Sequence, residues 1–340
     1  MKTPLYSPTI CRSEMEAVLT RLVEERVGPG EVNKALSNAV NEHFGANYAA
    51  SFRSPPIALH YAISALDIPV ASSIIISALS PLWVYKELKR DGFNPIVLDV
   101  APDSFFMDIE KIKENSENAK AIILNEPLGL MPNIDELLEL GLPIIEDVSQ
   151  SIGATYAGAK AGTKGDFALL GLEEHDILTA GGGATLVANK KEHATILKKL
   201  YAEAPLTDLL PDINASLALV QLKQSLKNTE AKQEIFEVYK KALLQTSHKT
   251  IAVSSDDANP VYSFPVIFNS NVAEIEKFAL KKEIEIEPAF KNSCIAFFKD
   301  MQEEYINATS ALFRCFLFPL YPRLAKKKIV EIAKVLSSLP

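Results

Sequence analysis

Short apolar runs alternate with helix-like segments along the first half of the chain, and this alternation restricts the possible fold more than any other feature. The apolar runs are SIIIS, NPIVLDV, AKAIILN, LPIIEDV and FALLGL. Segments such as WVYKELKRDG and NIDELLELG, which have helical periodicity, separate several of them. Strands that alternate with helices form βαβ units. The sequence therefore predicts an α/β fold with a mixed, mainly parallel sheet.

The pattern of predicted helices and strands changes in the last third of the sequence. A long helical stretch from Leu217 is followed by a predicted strand in NPVYSFPVIF, a helix in VAEIEKFALKKE, a strand in IEIEP and a helix in KKKIVEIAKVLSSL. A chain of 340 residues is long enough for two domains. We predict a large domain over residues 1–225 and a smaller C-terminal α/β domain over residues 226–340.

Composition excludes several classes of protein. Hydrophobic residues make up 48% of the chain and the net charge is −8, which argues against a nucleic-acid partner because phosphate contacts need clustered Lys and Arg. The N-terminus has no apolar signal core, and the uncharged run Ile68–Tyr85 contains two prolines and four serines, so we expect neither secretion nor a membrane span. Reduced thiols in a cytoplasmic protein, with no zinc motif, are predicted from the three widely spaced cysteines Cys11, Cys294 and Cys315.

A carboxylate pair, Glu146–Asp147, ends the apolar run LPIIEDV, and Gln150 follows three residues later. Ligands bind at the carboxyl ends of strands in open α/β sheets, where a carboxylate can hold a cationic ring nitrogen. Asp-x-x-Gln is also the spacing of a helix capping box. Taken alone, the spacing favours the cap.

The segment SFRSPPIALHYAI predicts the start of a helix at Ser54. Helix N-termini bind phosphate through free N–H groups. Pro55 and Pro56 have no N–H to donate, so a proline-initiated helix capped by Ser54 is the favoured interpretation.

Four polar residues interrupt the segment LGLEEHDILTAGGGATL before three glycines. The glycines lack the following Lys and Ser or Thr of a nucleotide-binding loop, so we predict a tight turn between strands. His175 is either a general acid or base or a solvated loop histidine. Lys160 and Lys164 are expected to be exposed turn residues.

These segments, in this order, resemble the DegT/StrS family of nucleotide-sugar aminotransferases, which are fold-type I pyridoxal-phosphate enzymes. The closest match is LPIIEDVSQSIGATYAGAKAGTKGDFALLGL, and FGANYAASFRSPPIALHYAISAL, ASLALVQL and FLFPLYPRLAKKKIVEIAKVL also resemble family segments. The resemblance covers nearly the whole chain. It implies a fold-type I aminotransferase-like fold, with a mainly parallel seven-stranded sheet in the large domain.

The resemblance also implies positions for a cofactor. Asp147 matches the family's partner of the pyridinium nitrogen, and Gln150 matches a residue beside the ring. Ser54 precedes the position of the family's Gly-Thr phosphate donors. The ring-stacking aromatic position falls near Pro81, with Trp83 two residues further on.

The position of the family's Schiff-base lysine carries no lysine in this chain. It falls on Asp176 when counted back from Thr179 and on His175 when counted back from Gly183. Neither side chain is a primary amine that could condense with an aldehyde. We therefore expect no covalent aldimine and no lysine amine within covalent reach in the cleft, although the resemblance allows binding of pyridoxal or pyridoxamine phosphate.

Other departures from the family pattern concern the residues that bind the cofactor phosphate and those that reach across the dimer interface. The strand serine that donates to phosphate falls on Leu170 or Gly171, and two polar residues that reach in from the partner subunit fall on Thr207 and Leu209. We expect an obligate homodimer that buries well over ~2,000 Å². Ile68–Tyr85 and APLTDLLPDINASLALVQL are expected to lie at its interface, and Pro55, Pro56 and Pro81 to narrow the cleft.

Three functions follow from the resemblance. The first is a non-catalytic homologue that binds a sugar nucleotide or another small metabolite. The second is a lysine-independent, pyridoxamine-phosphate-dependent sugar dehydratase-like enzyme in which His175 acts as the base. The third is an ordinary pyridoxal-phosphate-dependent nucleotide-sugar aminotransferase with an unrecognised lysine, and Lys160 and Lys164 are the nearest in sequence.

Overall fold

The computed structural model describes residues 2–251, 260–269 and 272–340. The strands are β1 (Tyr48–Phe52), β2 (Ser73–Ser77), β3 (Asn94–Leu98), β4 (Ala119–Asn125), β5 (Ile144–Asp147), β6 (Thr155–Tyr156), β7 (Ala159–Lys160), β8 (Phe167–Gly171), β9 (Ala184–Ala188), β10 (Phe264–Ile267), β11 (Glu287–Pro288) and β12 (Cys315–Phe318). The α-helices are α1 (Arg12–Val23), α2 (Glu31–Phe44), α3 (Pro55–Ala65), α4 (Leu82–Arg90), α5 (Ile109–Asn115), α6 (Asp135–Leu138), α7 (Lys191–Glu203), α8 (Asp212–Leu243), α9 (Val272–Lys281), α10 (Cys294–Phe297), α11 (Ile306–Arg314) and α12 (Lys326–Leu336).

The main sheet has seven strands in the order β1-β9-β8-β5-β4-β2-β3. Strands β3, β2, β4, β5 and β8 are parallel to one another, whereas β9 runs antiparallel to both of its neighbours. The predicted α/β fold with a mainly parallel seven-stranded sheet is therefore confirmed.

Both faces of this sheet are covered, which explains why the strands are apolar throughout. Ile75 and Ile122 pack on one face in a core that includes side chains of α2 and α8. Ile74, Ile76 and Ile123 pack on the other face with side chains of α3 and α7. Parallel strands buried on both faces lack the alternation of a half-exposed sheet.

The C-terminal part of the chain forms a second core around an antiparallel three-stranded sheet, β10-β12-β11. The predicted strand NPVYSFPVIF contributes β10, while its first residue, Asn259, lies outside the described residues. The 32-residue helix α8 joins the two parts. The predicted domain boundary at residue 225 falls inside α8, so this boundary stays a prediction.

The uncharged run Ile68–Tyr85 contains a buried strand, a loop and the start of α4. In the part of the chain that the structure describes, no helix has both the length and the apolar character to cross a bilayer. All three cysteines are free, and Cys294 and Cys315 are buried.

Candidate functional site

A cleft of about 300 Å³ lies beyond the carboxyl ends of β4 and β5, between the main sheet and the C-terminal part of the chain. Six of the residues considered from the sequence line it: Pro81, Trp83, Asp147, Gln150, His175 and Asp176. Pro55 also lines the cleft, whereas neither Ser54 nor Pro56 belongs to its described lining. The chain therefore brings together most of its candidate site residues at one edge of the sheet.

Asp147 is the last residue of β5 and is only 6% exposed. Its Oδ1 accepts a hydrogen bond from Ser149 Oγ at 2.6 Å. Ser149 Oγ in turn accepts from the amide of Gly171 at 2.8 Å, which ties β5 to the end of β8. Burial raises the pKa of the Asp147 carboxyl group, and the hydrogen bonds from Ser149 oppose this increase.

The interpretation of Asp147 as a helix cap is wrong. Consecutive turns, not a helix, follow β5, and Asp147 Oδ1 accepts from the amide of Ser149 at 3.2 Å. Gln150 Oε1 accepts from the amide of Leu128 at 2.9 Å, so it holds the turn after β4. No helix forms after β5, because Gly153 adopts φ +92° and the chain then enters the hairpin of β6 and β7.

The loop after β8 presents His175 and Asp176 to the cleft. His175 is exposed, and its ring centroid lies 4.2 Å from that of Tyr6. Asp176 Oδ2 accepts from the amide of Glu173 at 2.8 Å. Burial raises the pKa of Asp176 to about 8, and the charges of Asp147 and Glu173 contribute to the increase. Asp176 therefore holds its proton at neutral pH.

The three glycines form the predicted turn between β8 and β9. Gly181, Gly182 and Gly183 have φ values of +68°, +133° and +125°. A Cβ atom on Gly183 would lie 2.4 Å from Leu210 Cδ1. The glycines are needed for backbone conformation and close approach, as expected from the sequence.

The start of α3 presents no unused amide donor. Pro55 and Pro56 have no N–H, and the amide of Ile57 donates to Ser54 Oγ at 3.5 Å. The amide of Ala58 donates to the Ser54 carbonyl at 3.1 Å. The predicted proline-initiated helix with a Ser54 cap is confirmed, and its first four positions offer nothing to an anion.

Lys160 and Lys164 lie outside the described lining of the cleft. Lys160 is exposed, and Lys164 Nζ pairs with Asp135 at 2.8 Å. Lys291 does line the cleft, where it pairs with Glu287. The expectation that no lysine amine lies within covalent reach of a cofactor stays a prediction.

Several cleft residues were not identified from the sequence: Tyr6, Glu126, Tyr262, Glu287 and Lys291. Tyr6 comes from the N-terminal segment, and the last three come from the C-terminal part of the chain. Glu126 directly follows the predicted strand β4, and this position is a signal that the sequence does contain. No local motif marks the other four positions, since they reach the cleft only through packing of segments that are distant in sequence.

A buried pair of carboxyl groups lies behind the cleft. Glu126 is 1% exposed, and its Oε2 accepts from Ser151 Oγ at 2.5 Å. Within the described residues, Glu126 Oε1 has no hydrogen-bond partner. Glu146 accepts from the amides of Gly162 at 2.9 Å and Lys164 at 3.1 Å.

Burial raises the pKa of both carboxyl groups in this pair, and the charge of Glu146 raises that of Glu126 further. The amide donors around Glu146 oppose the effect of burial there. Glu146 therefore carries the charge and Glu126 the proton. Nowhere in the described ranges do three or more His, Cys, Asp or Glu residues cluster as metal ligands would.

One family model matches nearly the whole chain. The model of the DegT/DnrJ/EryC1/StrS aminotransferase family matches residues 8–337. GDP-perosamine synthase of Escherichia coli O157:H7 is 24% identical over 355 residues, which cover 97% of this chain and 96% of that protein. Two other curated relatives are matched over 61% and 62% of their own lengths.

Solved structures with the same fold include proteins with and without an aminotransferase name. Spr1654 of Streptococcus pneumoniae, assigned as a sugar aminotransferase, has a TM-score of 0.91 in its pyridoxal-phosphate form, with 17% identity and coverage of 100% of this chain and 98% of that chain. It has also been solved in a pyridoxamine-phosphate form. GDP-4-keto-6-deoxymannose-3-dehydratase (ColD) with bound GDP-perosamine has a TM-score of 0.86, 18% identity and coverage of 98% and 99%. At these identities, the likeness shows the fold.

Proposed function

The chain belongs to the DegT/DnrJ/EryC1/StrS aminotransferase family, and we propose that it is a member without transaminase activity that binds a sugar nucleotide or another small metabolite. The observation that carries the proposal is the start of α3. Pro55 and Pro56 lack N–H groups, and the amides of Ile57 and Ala58 are used by Ser54. A cofactor phosphate would find no backbone donor there.

The expected loss of affinity for the cofactor is large. A hydrogen bond to a charged group contributes roughly 1.5–3 kcal/mol. Two missing donors then cost about 3–6 kcal/mol, or roughly 10²- to 10⁴-fold in affinity. The cost applies to pyridoxal phosphate and pyridoxamine phosphate alike.

The lack of a lysine that could form an imine with the cofactor supports the same proposal. In our proposal, His175 or Asp176 occupies the position of the family's Schiff-base lysine, and neither side chain can form an imine. A phosphate-binding serine at position 171 also does not fit, because a Cβ atom there would lie 2.5 Å from Asp176 Oδ2 and 2.6 Å from Ser149 Oγ. These residues do not fit a covalently held cofactor.

Two residues, Asp147 and Gln150, match family positions that contact the pyridinium ring of the cofactor. Both also have local partners, since Asp147 accepts from Ser149 and Gln150 accepts from Leu128. Their presence is therefore explained by the structure of the turns after β4 and β5, without a cofactor.

The proposal is tested by titration with pyridoxal phosphate, because Trp83 is the only tryptophan and lines the cleft. We expect no saturable quenching of its fluorescence at micromolar concentrations and no aldimine absorbance band. After borohydride reduction, mass spectrometry is expected to show no cofactor on any lysine, including Lys291. A cofactor adduct together with measurable transamination would contradict the proposal.

A second candidate, a lysine-independent sugar dehydratase-like enzyme, is favoured by one observation. His175 lines the same cleft as Asp147. This candidate requires pyridoxamine phosphate to bind and His175→Ala to abolish turnover of a keto-deoxy sugar nucleotide. His43→Ala, which changes an exposed histidine on α2, is the matched control. Absence of pyridoxamine-phosphate binding removes this candidate.

A homodimer is also part of the proposal, and its interface stays a prediction, although the centre of one expected segment is not available to a partner. Ile74, Ile75 and Ile76, in the centre of the run Ile68–Tyr85, are fully buried within one chain. Exposed apolar side chains instead form a stripe on α1, at helical spacings of i, i+4, i+7 and i+8: Met15, Leu19, Leu22 and Val23. A second copy packing on this stripe would cover it.

We expect sedimentation at micromolar concentration to show a dimer. Leu19→Glu with Leu22→Glu is expected to produce monomers, because charges would be buried at the interface. Val70→Glu changes an equally exposed apolar residue outside the stripe and is expected to leave the dimer intact. A monomeric unmodified protein would contradict the assembly.

A further inference from the structure

Lys232 is a buried lysine on α8 that the candidate cleft does not use. It is 6% exposed. Across residues 2–251, 260–269 and 272–340, no carboxylate pairs with it and no hydrogen bond holds its ammonium group. It faces a small cavity of about 60 Å³. A buried charge is costly unless another group compensates it.

The other walls of this cavity supply no buried negative charge at neutral pH. Burial lowers the pKa of Lys232 to about 8, so roughly 90% of it is protonated at pH 7. Asp176, with its pKa raised to about 8, is mostly neutral there. Glu174 is exposed to solvent, which screens its charge. The ammonium group therefore lacks a counter-charge.

We propose that this cavity is a binding site for a small anion of carboxylate size, held by the Lys232 ammonium group and the Asn228 amide. Asn228 lines the cavity four residues before Lys232, on the same face of α8. A cavity of about 60 Å³ has room for a few water-sized groups. Formate, nitrate or a halide fits this space, whereas a sugar nucleotide does not.

The site is separate from the cleft, although the two are neighbours. Tyr6, His175, Asp176 and Tyr262 line both, and so form the wall between them. The inference stands independently of the proposed function, because it depends on Lys232 and not on any cofactor.

Formate is the probe for this site, and calorimetric titration at pH 7 is expected to show one-to-one binding. Lys232→Met is expected to abolish it, and Lys232→Arg to keep it. Lys227→Met, which removes an exposed lysine from the same helix, is expected to bind formate like the unmodified protein. Unchanged binding in Lys232→Met, or no binding at pH 7, would overturn the proposal.

The pH dependence adds a second readout. If the ammonium form is required, the affinity for formate falls roughly 30-fold at pH 9.5, because only the protonated fraction is competent. The titratable groups that face Lys232 are Tyr6, Glu174, His175, Asp176, Tyr262 and Tyr321. Asp176→Asn removes the group among these that titrates in the same pH range as Lys232. Most of the loss of formate affinity between pH 7 and pH 9.5 is expected to remain in this variant. A pH-independent affinity would contradict the role of Lys232.

Crystals soaked in bromide locate the anion directly. We expect an anomalous peak between Lys232 Nζ and the Asn228 amide. The double variant Lys232→Arg with Asn228→Leu keeps a positive charge on the arginine side chain but loses the amide donor. We expect no peak at this place in the double variant. This measurement also decides the question if Lys232→Met fails to fold. Bromide found only at exposed lysines would overturn the proposal.

Discussion

Replacing Pro55 and Pro56 with alanine is expected to tighten binding of pyridoxal phosphate by roughly 10²- to 10⁴-fold. Alanine restores two N–H groups at the first positions of α3, where helix geometry directs them at an anion in the cleft. Each proline removed is expected to lower the folding stability by about 0.4–1 kcal/mol through the unfolded chain, which is an effect separate from the affinity. Quenching of Trp83 fluorescence measures the affinity, since Trp83 and Pro55 line the same cleft.

Two controls separate a phosphate effect from a general change in the cleft. Pyridoxal without its phosphate group is expected to bind the variant and the unmodified protein equally. Pro69→Ala removes an exposed proline away from the cleft and is expected to leave both affinities unchanged. Equal tightening for pyridoxal and pyridoxal phosphate would show that the prolines do not act through missing amide donors.

Strands β2, β4, β5 and β8 of the main sheet were predictable because their central residues are buried on both faces. SIIIS and AKAIILN have apolar centres for that reason, and β2 and β4 coincide with these predicted runs. Strand β1 was not predicted, since YAASF is short and contains small residues. It forms through antiparallel pairing with β9, which is a contact between distant segments.

The candidate site was only partly predictable. Asp147 and Gln150 were identified because a polar pair at the end of an apolar run marks a strand end at the sheet edge. The capping function assigned to them was wrong, since two residues with the correct spacing do not specify a helix when a glycine turn follows. Lys291 could not be assigned, because its proximity to Asp147 depends on the packing of the C-terminal part. Glu126 was missed although it directly follows the apolar run AKAIILN and so has the same signal as Asp147.

The buried pair of carboxyl groups leads to the prediction of a strong pH effect on stability. The folded-state pKa of Glu126 is raised, so the folded protein keeps a proton that the unfolded chain releases above about pH 4.3. Its contribution to stability is complete below that pH and is lost as pH rises toward the folded-state pKa. The expected slope is about 1.4 kcal/mol of unfolding free energy per pH unit for this group.

Glu126→Gln is expected to remove this slope, because the amide has no proton to lose. The amide oxygen still accepts from Ser151 Oγ, and the neutral amide places an N–H group near the Glu146 carboxylate, whose charge raises the pKa of Glu126. Urea unfolding is expected to give similar stabilities for the two proteins at pH 5. At pH 7 the variant is expected to be the more stable protein, because the unmodified protein loses stability as the pH rises toward the folded-state pKa of Glu126.

The difference between the two curves reports the titration of the Glu126–Glu146 pair, because Asp176 and the titrating groups outside this pair contribute equally to both proteins. Glu117→Gln removes a carboxylate that is exposed, so its curve is expected to follow that of the unmodified protein at every pH. Parallel curves for Glu126→Gln and the unmodified protein between pH 5 and pH 7 would show that Glu126 is ionised in the folded state. In that case Glu146, and not Glu126, would hold the proton, and Glu146→Gln would be the variant that removes the slope.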